Sequence, residues 1–181
     1  MKLNPENNDI ETFARMILTA ARTSPKARGV DDILTGIVEN DEIGILADTM
    51  EKIADQKGKG FGFFKRDSGN IREADAVVLI GLKECESSSL DCSGCGYATC
   101  QEMLNTEKVE SDYRGPNCSI KYIDLGIAVG AAVSKAKDLC IDNRVMYTAG
   151  SAARAAGLMD ADMIYGIPLN ISGKNIFFDR K

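Results

Sequence analysis

The stretch from Ala74 to Leu82, ADAVVLIGL, is a nearly unbroken run of Val, Ile, Leu and Ala. A strand of that composition has no polar side to turn toward water, so both of its faces must be covered. The chain therefore needs a layered fold in which helices pack on a sheet. The same strand delivers the backbone directly to Cys85 and then to the glycine-flanked run LDCSGCGYATC. Whatever that run does, it is held at the end of a buried strand.

The elements around the strand follow from periodicity. Ile10, Phe13, Ala14, Ile17, Leu18 and Ala21 recur at helical spacing, Asn8 and Glu11 are placed as a capping box, and Pro25 stops the helix. TSPKARGVDD is a turn-rich connection, read as a solvated loop, although Lys26 and Arg28 make it a candidate anion site. Ile33 to Val38 reads as a buried strand, and Ile43, Leu46, Ala47, Met50, Ile53 and Ala54 as a helix ending before Gly58. KGKGFGFFKRDSGN reads as a loop or hairpin. Its alternating glycines do not make a phosphate cradle, because such a motif needs a strand before it and a helix after it. Beyond the cysteines, Ile123 to Leu139 is a helix rich in Gly and Ala, predicted to be central and able to offer a dimer face. Arg144 to Thr148 is a predicted strand, Gly150 to Ala156 a short helix, and Asp162 to Leu169 and Asn175 to Phe178 two further strands. This order predicts an α+β fold, with helices on a mixed or antiparallel sheet. It makes residues 1–181 one domain with residues 85–119 inserted in it.

The chain has 181 residues, a net charge of -5 and no histidine or tryptophan. Lack of histidine removes imidazole bases, mixed Cys/His zinc sites and His-ligated haem. The acidic balance excludes a nucleic-acid face, which needs a basic stripe. MKLNPENND lacks the apolar segment of a secretory signal, and no apolar run is long enough to span a bilayer. The expected compartment is the cytoplasm, where the six cysteines are thiols or metal ligands rather than disulfides.

Cys92, Cys95 and Cys100 form a C-x2-C-x4-C run, and Cys118 follows after a Gly115-Pro116-Asn117 turn. Three thiols from one tight loop and a fourth from a returning segment suit the irons of a cubane cluster. An all-cysteine zinc site normally brings a second C-x2-C pair, and a redox dithiol needs thioredoxin-like placement, so both fit less well. Gly94 and Gly96 let the loop bend and bring backbone N–H groups to the sulfurs. Thr99 and Glu102 form a capping box that places Cys100 in the first turn of a helix running to about Ser111. Cys85 competes with Cys118 for the fourth position; a returning ligand closes a cage better than one at a strand end. Cys140 reads as a small core residue.

The spacing C-x2-C-G-Y-x2-C with a later cysteine resembles the four-iron domain of the corrinoid iron-sulfur protein and of electron-transport complex B subunits. That resemblance implies a [4Fe-4S] cluster on Cys92, Cys95, Cys100 and Cys118. Ser119-Ile120 stands where the prolines usual after the last cysteine would be. Over its whole length the chain resembles a family of uncharacterised ferredoxin-domain-containing proteins of anaerobic bacteria and archaea. The segments that carry the likeness are AARTSPKARGVDD, LDCSGCGYATC, GPNCSIKYIDLGIAVGAA, DNRVMYTAG and GIPLNISGKNIFFDR. The element order, the Ala-Ala-Arg-x-Ser-Pro passage, DLGIAVGAA and the closing G-I-P strand also resemble the flavin-dependent nitroreductase fold. That likeness implies FMN at a homodimer interface, with Arg22, Ser24, Lys26 and Arg28 as candidates for its phosphate. The expected function is electron transfer with a donor or acceptor protein, coupled to a flavin-dependent reduction if FMN is bound. The alternative is a non-enzymatic scaffold or partner-binding subunit whose metal site is structural.

Overall fold

The computed structural model describes residues 1, 3–84 and 86–178, without the side chains of residues 7 and 8. Cys85 and the Asn8 half of the expected capping box therefore lie outside the described residues. Four strands form one sheet, β1 (Ile33–Ile37), β2 (Ala76–Leu82), β5 (Asp142–Asn143) and β6 (Met163–Asn170), in the order β1-β2-β6-β5 with every pairing antiparallel. The expected α+β class holds, and the sheet is antiparallel rather than mixed.

β2 is interior and buried on both faces, as its composition demands. Val77 and Leu79 pack toward α2 (Asn40–Lys57), α3 (Phe63–Glu73) and α6 (Tyr147–Ala155). Val78, Ile80 and Leu82 pack toward α1 (Ile10–Thr23) and α5 (Ser119–Asp138). Against α1, α5 presents the buried residues Leu125, Ala128, Ala132 and Ala136. Alanine rather than glycine lines this contact. Gly126 and Gly130 lie on the other side, where an added Cβ would meet nothing within 4 Å, beside the exposed Ile123 and Ile127. Among the described residues no helix is long and apolar enough to cross a membrane.

Four sequence expectations are corrected. The stretch read as a loop after Gly62 is helix α3, whose inward face is Phe64, Asp67, Ser68 and Ile71. Two of those four positions are polar, which hides the apolar period. Asp67 accepts from Thr148 Oγ1 at 2.8 Å and Ser68 donates to Glu51 Oε1 at 3.0 Å, so both are satisfied where they are buried. The segment read as a strand from Arg144 splits: only Met146 bridges to Gly166 before α6 begins at Tyr147. Asn175 to Phe178 is a turn, not a strand; Asn70 and Arg144 side chains bind the carbonyls of Ile176 and Phe177 in place of a ladder, while Phe177 is buried.

Cys140, expected in the core, is exposed and has φ 59°. It occupies the left-handed position after α5 in a Schellman motif, with Cys140 N–H on Lys137 O (3.0 Å) and Ile141 N–H on Ala136 O (2.9 Å). α6 ends with the same two bonds, Gly157 N–H to Arg154 O and Leu158 N–H to Ala153 O, but with glycine at φ 72°. Cys140→Gly is therefore expected to stabilise the protein by about 1 kcal/mol, because it removes the Cβ crowding of that conformation. The check is an upward shift of the thermal midpoint by about 2–4 °C.

Candidate metal centre

The chain leaves the sheet after Leu82 and returns to it through α5, and the cysteine loop lies between. Tight turning is provided by left-handed residues at Asp91 (φ 43°), Ser93 (φ 55°) and Gly96 (φ 88°). Gly94 serves space instead of conformation: a Cβ there would stand 2.6 Å from Ser119 Oγ and 3.6 Å from Cys92 Sγ. The loop bearing Cys92, Cys95 and Cys100 is thereby laid against Ser119, the residue after Cys118.

Cys100 opens α4 (Cys100–Leu104), capped by Thr99 Oγ1, which accepts from Glu102 N–H at 3.2 Å. Glu102 reaches back to Ala98 N–H (3.1 Å), one residue earlier than a capping box would place it. α4 stops at Leu104 rather than near Ser111, and the chain continues as a hairpin of β3 (Val109–Glu110) and β4 (Arg114–Gly115). Asp91 ties the two ends of the loop together. Its N–H approaches Cys100 Sγ at 3.4 Å and its Oδ1 accepts from Cys100 N–H at 2.7 Å.

Cys118 is buried, 6% exposed, at the N-cap of α5, a helix of 20 residues. Burial pushes its thiol pKa up. The N–H groups of Ser88, Lys121 and Ile120 and the Ser88 hydroxyl outweigh that effect and hold it below the ordinary thiol value. The helix end suited to a thiolate is thus α5's, since α4 has only five residues.

Buried and half-buried charges fasten this segment to the body. Asp162, fully buried, accepts from Lys108 Nζ (2.6 Å) and Arg114 Nε (2.5 Å). Asp112 accepts from Lys57 Nζ (2.7 Å), Ser151 Oγ (3.2 Å) and the Tyr147 hydroxyl. Behind Cys118, Lys121 Nζ lies 2.7 Å from Asp32 Oδ2 and 3.8 Å from Asp124 Oδ2, and Asp124 Oδ1 accepts from Ala27 N–H at 2.9 Å. Only Lys121 and Asp124 are neighbours in sequence, three residues apart on α5; the other partners lie far from their mates, so no spacing rule points to them. For Asp112, burial raises the carboxyl pKa, while Lys57, Tyr147 and Ser151 more than reverse it and hold it below 3.8. A depressed carboxylate stabilises fully above its unfolded value and loses that contribution as pH falls through its lower folded one. Asp112→Asn is expected to cost about 1 kcal/mol at pH 7, an amount reduced by partial exposure. The gap from wild type should close below about pH 4 in urea titrations.

Of Arg22, Ser24, Lys26 and Arg28, the Lys26 ammonium meets the Ser24 hydroxyl at 3.4 Å, and each of the four binds groups of the chain itself. Arg22 binds Asp31 Oδ2 and Ile33 O, each at 2.6 Å, Ser24 donates to Ala21 O, and Lys26 Nζ caps α1 through Arg22 O (2.6 Å) and Ser24 O (2.8 Å). Arg28 alone of the four lines a cavity of about 410 Å³, shared with Asp32, Lys121 and Ser87 to Ser89. Arg22, Ser24 and Lys26 thus bind acceptors at the end of α1 and the start of β1, while Arg28 faces the cavity.

For a cluster the fit is one of donor chemistry and apposition. The donors are thiols, no histidine exists in the chain, and the three-thiol loop lies on the helix end that bears the fourth. Among the described residues no three Cys, Asp or Glu side chains are gathered into a metal-holding group.

A family model described as an uncharacterized protein containing a ferredoxin domain matches residues 114–180, which include Cys118 but not the loop. An uncharacterized protein of Archaeoglobus fulgidus is 37% identical over 175 residues, 97% of this chain and 94% of that one. The fold is similar to that of the NADPH:FMN oxidoreductase from Vibrio harveyi complexed with NAD+ (TM-score 0.56, 10% identity, 94% of this chain and 63% of that one). It is also similar to nitroreductase A from Vibrio parahaemolyticus (TM-score 0.54, 10% identity, 94% and 61%) and to an FMN-dependent nitroreductase from Clostridium difficile (TM-score 0.51, 16% identity, 96% and 79%). The chain spans less than two thirds of the length of either Vibrio protein. At these identities the likeness is one of fold: the architecture is nitroreductase-like.

Proposed function

Because the chain belongs to the family of uncharacterised proteins containing a ferredoxin domain, we propose that it is an electron-transfer protein holding a [4Fe-4S] cluster on Cys92, Cys95, Cys100 and Cys118. The observation that carries this reading is the apposition of the loop to the end of α5 where Cys118 is buried among N–H donors. Such a cluster supplies one-electron chemistry when bound. The protein's part is to hold four thiolates, offer N–H groups to sulfur and fix the loop through Asp91, Asp112 and Asp162.

Anaerobic purification tests it. A brown protein with about four irons per chain and broad absorbance at about 400 nm is expected. A colourless protein with one zinc would replace it with a structural metal site in a scaffold or partner-binding subunit. The fold likeness also supports a flavin, since FMN is named for the Vibrio harveyi and Clostridium difficile proteins. Arg22, Ser24, Lys26 and Arg28 are the residues that would hold its phosphate, and no step is assigned to a flavin. Fluorescence released on denaturation decides that point: a flavin-free brown protein is a one-electron carrier only. We assign the exposed Ile123 and Ile127 face of α5 to a second copy of the chain, and sedimentation over a concentration series is expected to give a dimer.

A further inference from the structure

The charge of this protein is concentrated in one segment. Residues 84–110 contain six acids and a single base, Lys108, while the other 21 acids and 21 bases of the chain cancel, so this segment accounts for the whole net charge of -5. Its base is already engaged, since Lys108 binds Asp162 and Glu84. Glu86, Glu102 and Glu107 are exposed and make no ion pair among the described residues.

Apolar side chains stand among these acids. Leu90 is 55% exposed and precedes Asp91, which bonds Cys100 in both directions; Leu104 is 43% exposed and one helical turn beyond Cys100. The two leucines therefore flank the same cysteine from opposite directions along the chain. Exposed leucines in a segment rich in like charges have the composition of a small, transient protein interface: an apolar centre for contact and charges around it for steering. Solvation of the loop alone would call for neither leucine.

We propose that this face docks a small protein electron carrier whose contact surface is rich in Lys or Arg, with Leu90 and Leu104 at the centre and Glu86, Glu102 and Glu107 on the rim. The identity of the partner as an electron carrier rests on the cluster reading above; the docking face itself rests on charge and exposure. A basic partner is selected because the charges outside this segment sum to zero and the net negative charge lies within it. The encounter is therefore oriented so that the partner arrives beside Cys100.

The test uses the anaerobically purified protein and oxidised mitochondrial cytochrome c, a small redox protein with a lysine-rich face, and measures binding by calorimetry. Affinity is expected to fall at least about tenfold between about 20 mM and about 500 mM salt. The triple variant Glu86→Gln, Glu102→Gln, Glu107→Gln should lose about tenfold at low salt and little at high salt. The Glu102→Gln change retains a side-chain oxygen to accept from Ala98 N–H, so the loop cap is preserved. Leu90→Ser with Leu104→Ser should weaken binding at both salt concentrations. An equal charge change placed elsewhere, Asp41→Asn, Glu73→Gln, Asp138→Asn, should leave binding nearly unchanged. Equal losses in the two triple variants would mean that net charge alone acts, and would overturn the proposal, as would binding indifferent to both sets of substitutions at residues 84–110. Iron per chain, measured on the same samples, reports separately on the cluster. Colourless protein that still binds in the expected pattern retains the docking face and removes the cluster.

Discussion

Replacement of Gly150 by alanine is expected to be among the most damaging single-methyl changes this chain can suffer. An added Cβ would lie 1.7 Å from the carbonyl oxygen of Ile164 and 2.4 Å from its carbonyl carbon, with Tyr165 Cα at 3.0 Å. These are backbone atoms of β6, the strand hydrogen-bonded to both β2 and β5, so no side-chain rotation relieves the clash. The contact is reciprocal, since a Cβ on Gly166 would meet Ala149 Cβ at 2.5 Å. One glycine on the helix and one on the strand let α6 lie directly on the sheet. Accommodating the methyl means lifting α6, which also carries Ser151 and Tyr147, two of the partners that hold Asp112 and the β3–β4 hairpin. A loss of about 3 kcal/mol or more is expected, at the upper end for overpacking, with the thermal midpoint lower by about 6–12 °C. Gly126→Ala is the matched control: its Cβ would meet nothing within 4 Å, and a helix interior gains about 0.5–1 kcal/mol from the exchange. Opposite shifts of the midpoint in the two variants are the result to look for.

That contrast also shows what the sequence conveyed. The glycines of α5 and the glycine of α6 look alike in one dimension, but the close approach is made at Gly150 and Gly166 while Gly126 and Gly130 face outward. β2, α2 and α5 from Leu125 onward were legible because their buried residues are apolar, whereas the first turns of α5 bury Lys121 and Asp124. α3 was not, because Asp67 and Ser68 occupy inward positions made tolerable by Thr148 and Glu51, residues far along the chain. The same holds at the candidate metal centre. Spacing singled out four cysteines and the Thr99 cap, whereas Asp91, Asp112, Asp162 and Ser88 act through partners that only the folded chain brings near. The contacts of Arg22 and Lys26 were hidden for a related reason: they satisfy carbonyls and Asp31, partners that only the folded chain brings near.

Cys118→Ser is expected to abolish cluster retention, while Cys85→Ser leaves it. Cys118 is fixed by the fold. It is the N-cap of α5, faces the N–H groups of Ile120 and Lys121, and is covered by Ser88, whose hydroxyl lies 3.8 Å from its sulfur. Its successor, Ser119, is the residue that Gly94 makes room for, so the segment bearing Cys118 and the three-thiol loop share one contact. Serine keeps the size and a hydrogen-bonding oxygen, so α5 should start where it does now and the secondary structure should survive; what is removed is the soft thiolate that iron prefers. Iron should fall from about four per chain to less than about one, with the absorbance at about 400 nm lost and the far-ultraviolet circular dichroism unchanged. Because three ligands of one loop would remain, a three-iron remnant distinguishable by electron paramagnetic resonance would still count as loss of the fourth ligand. Full iron and colour in Cys118→Ser, together with their loss in Cys85→Ser, would transfer the fourth position to the strand end.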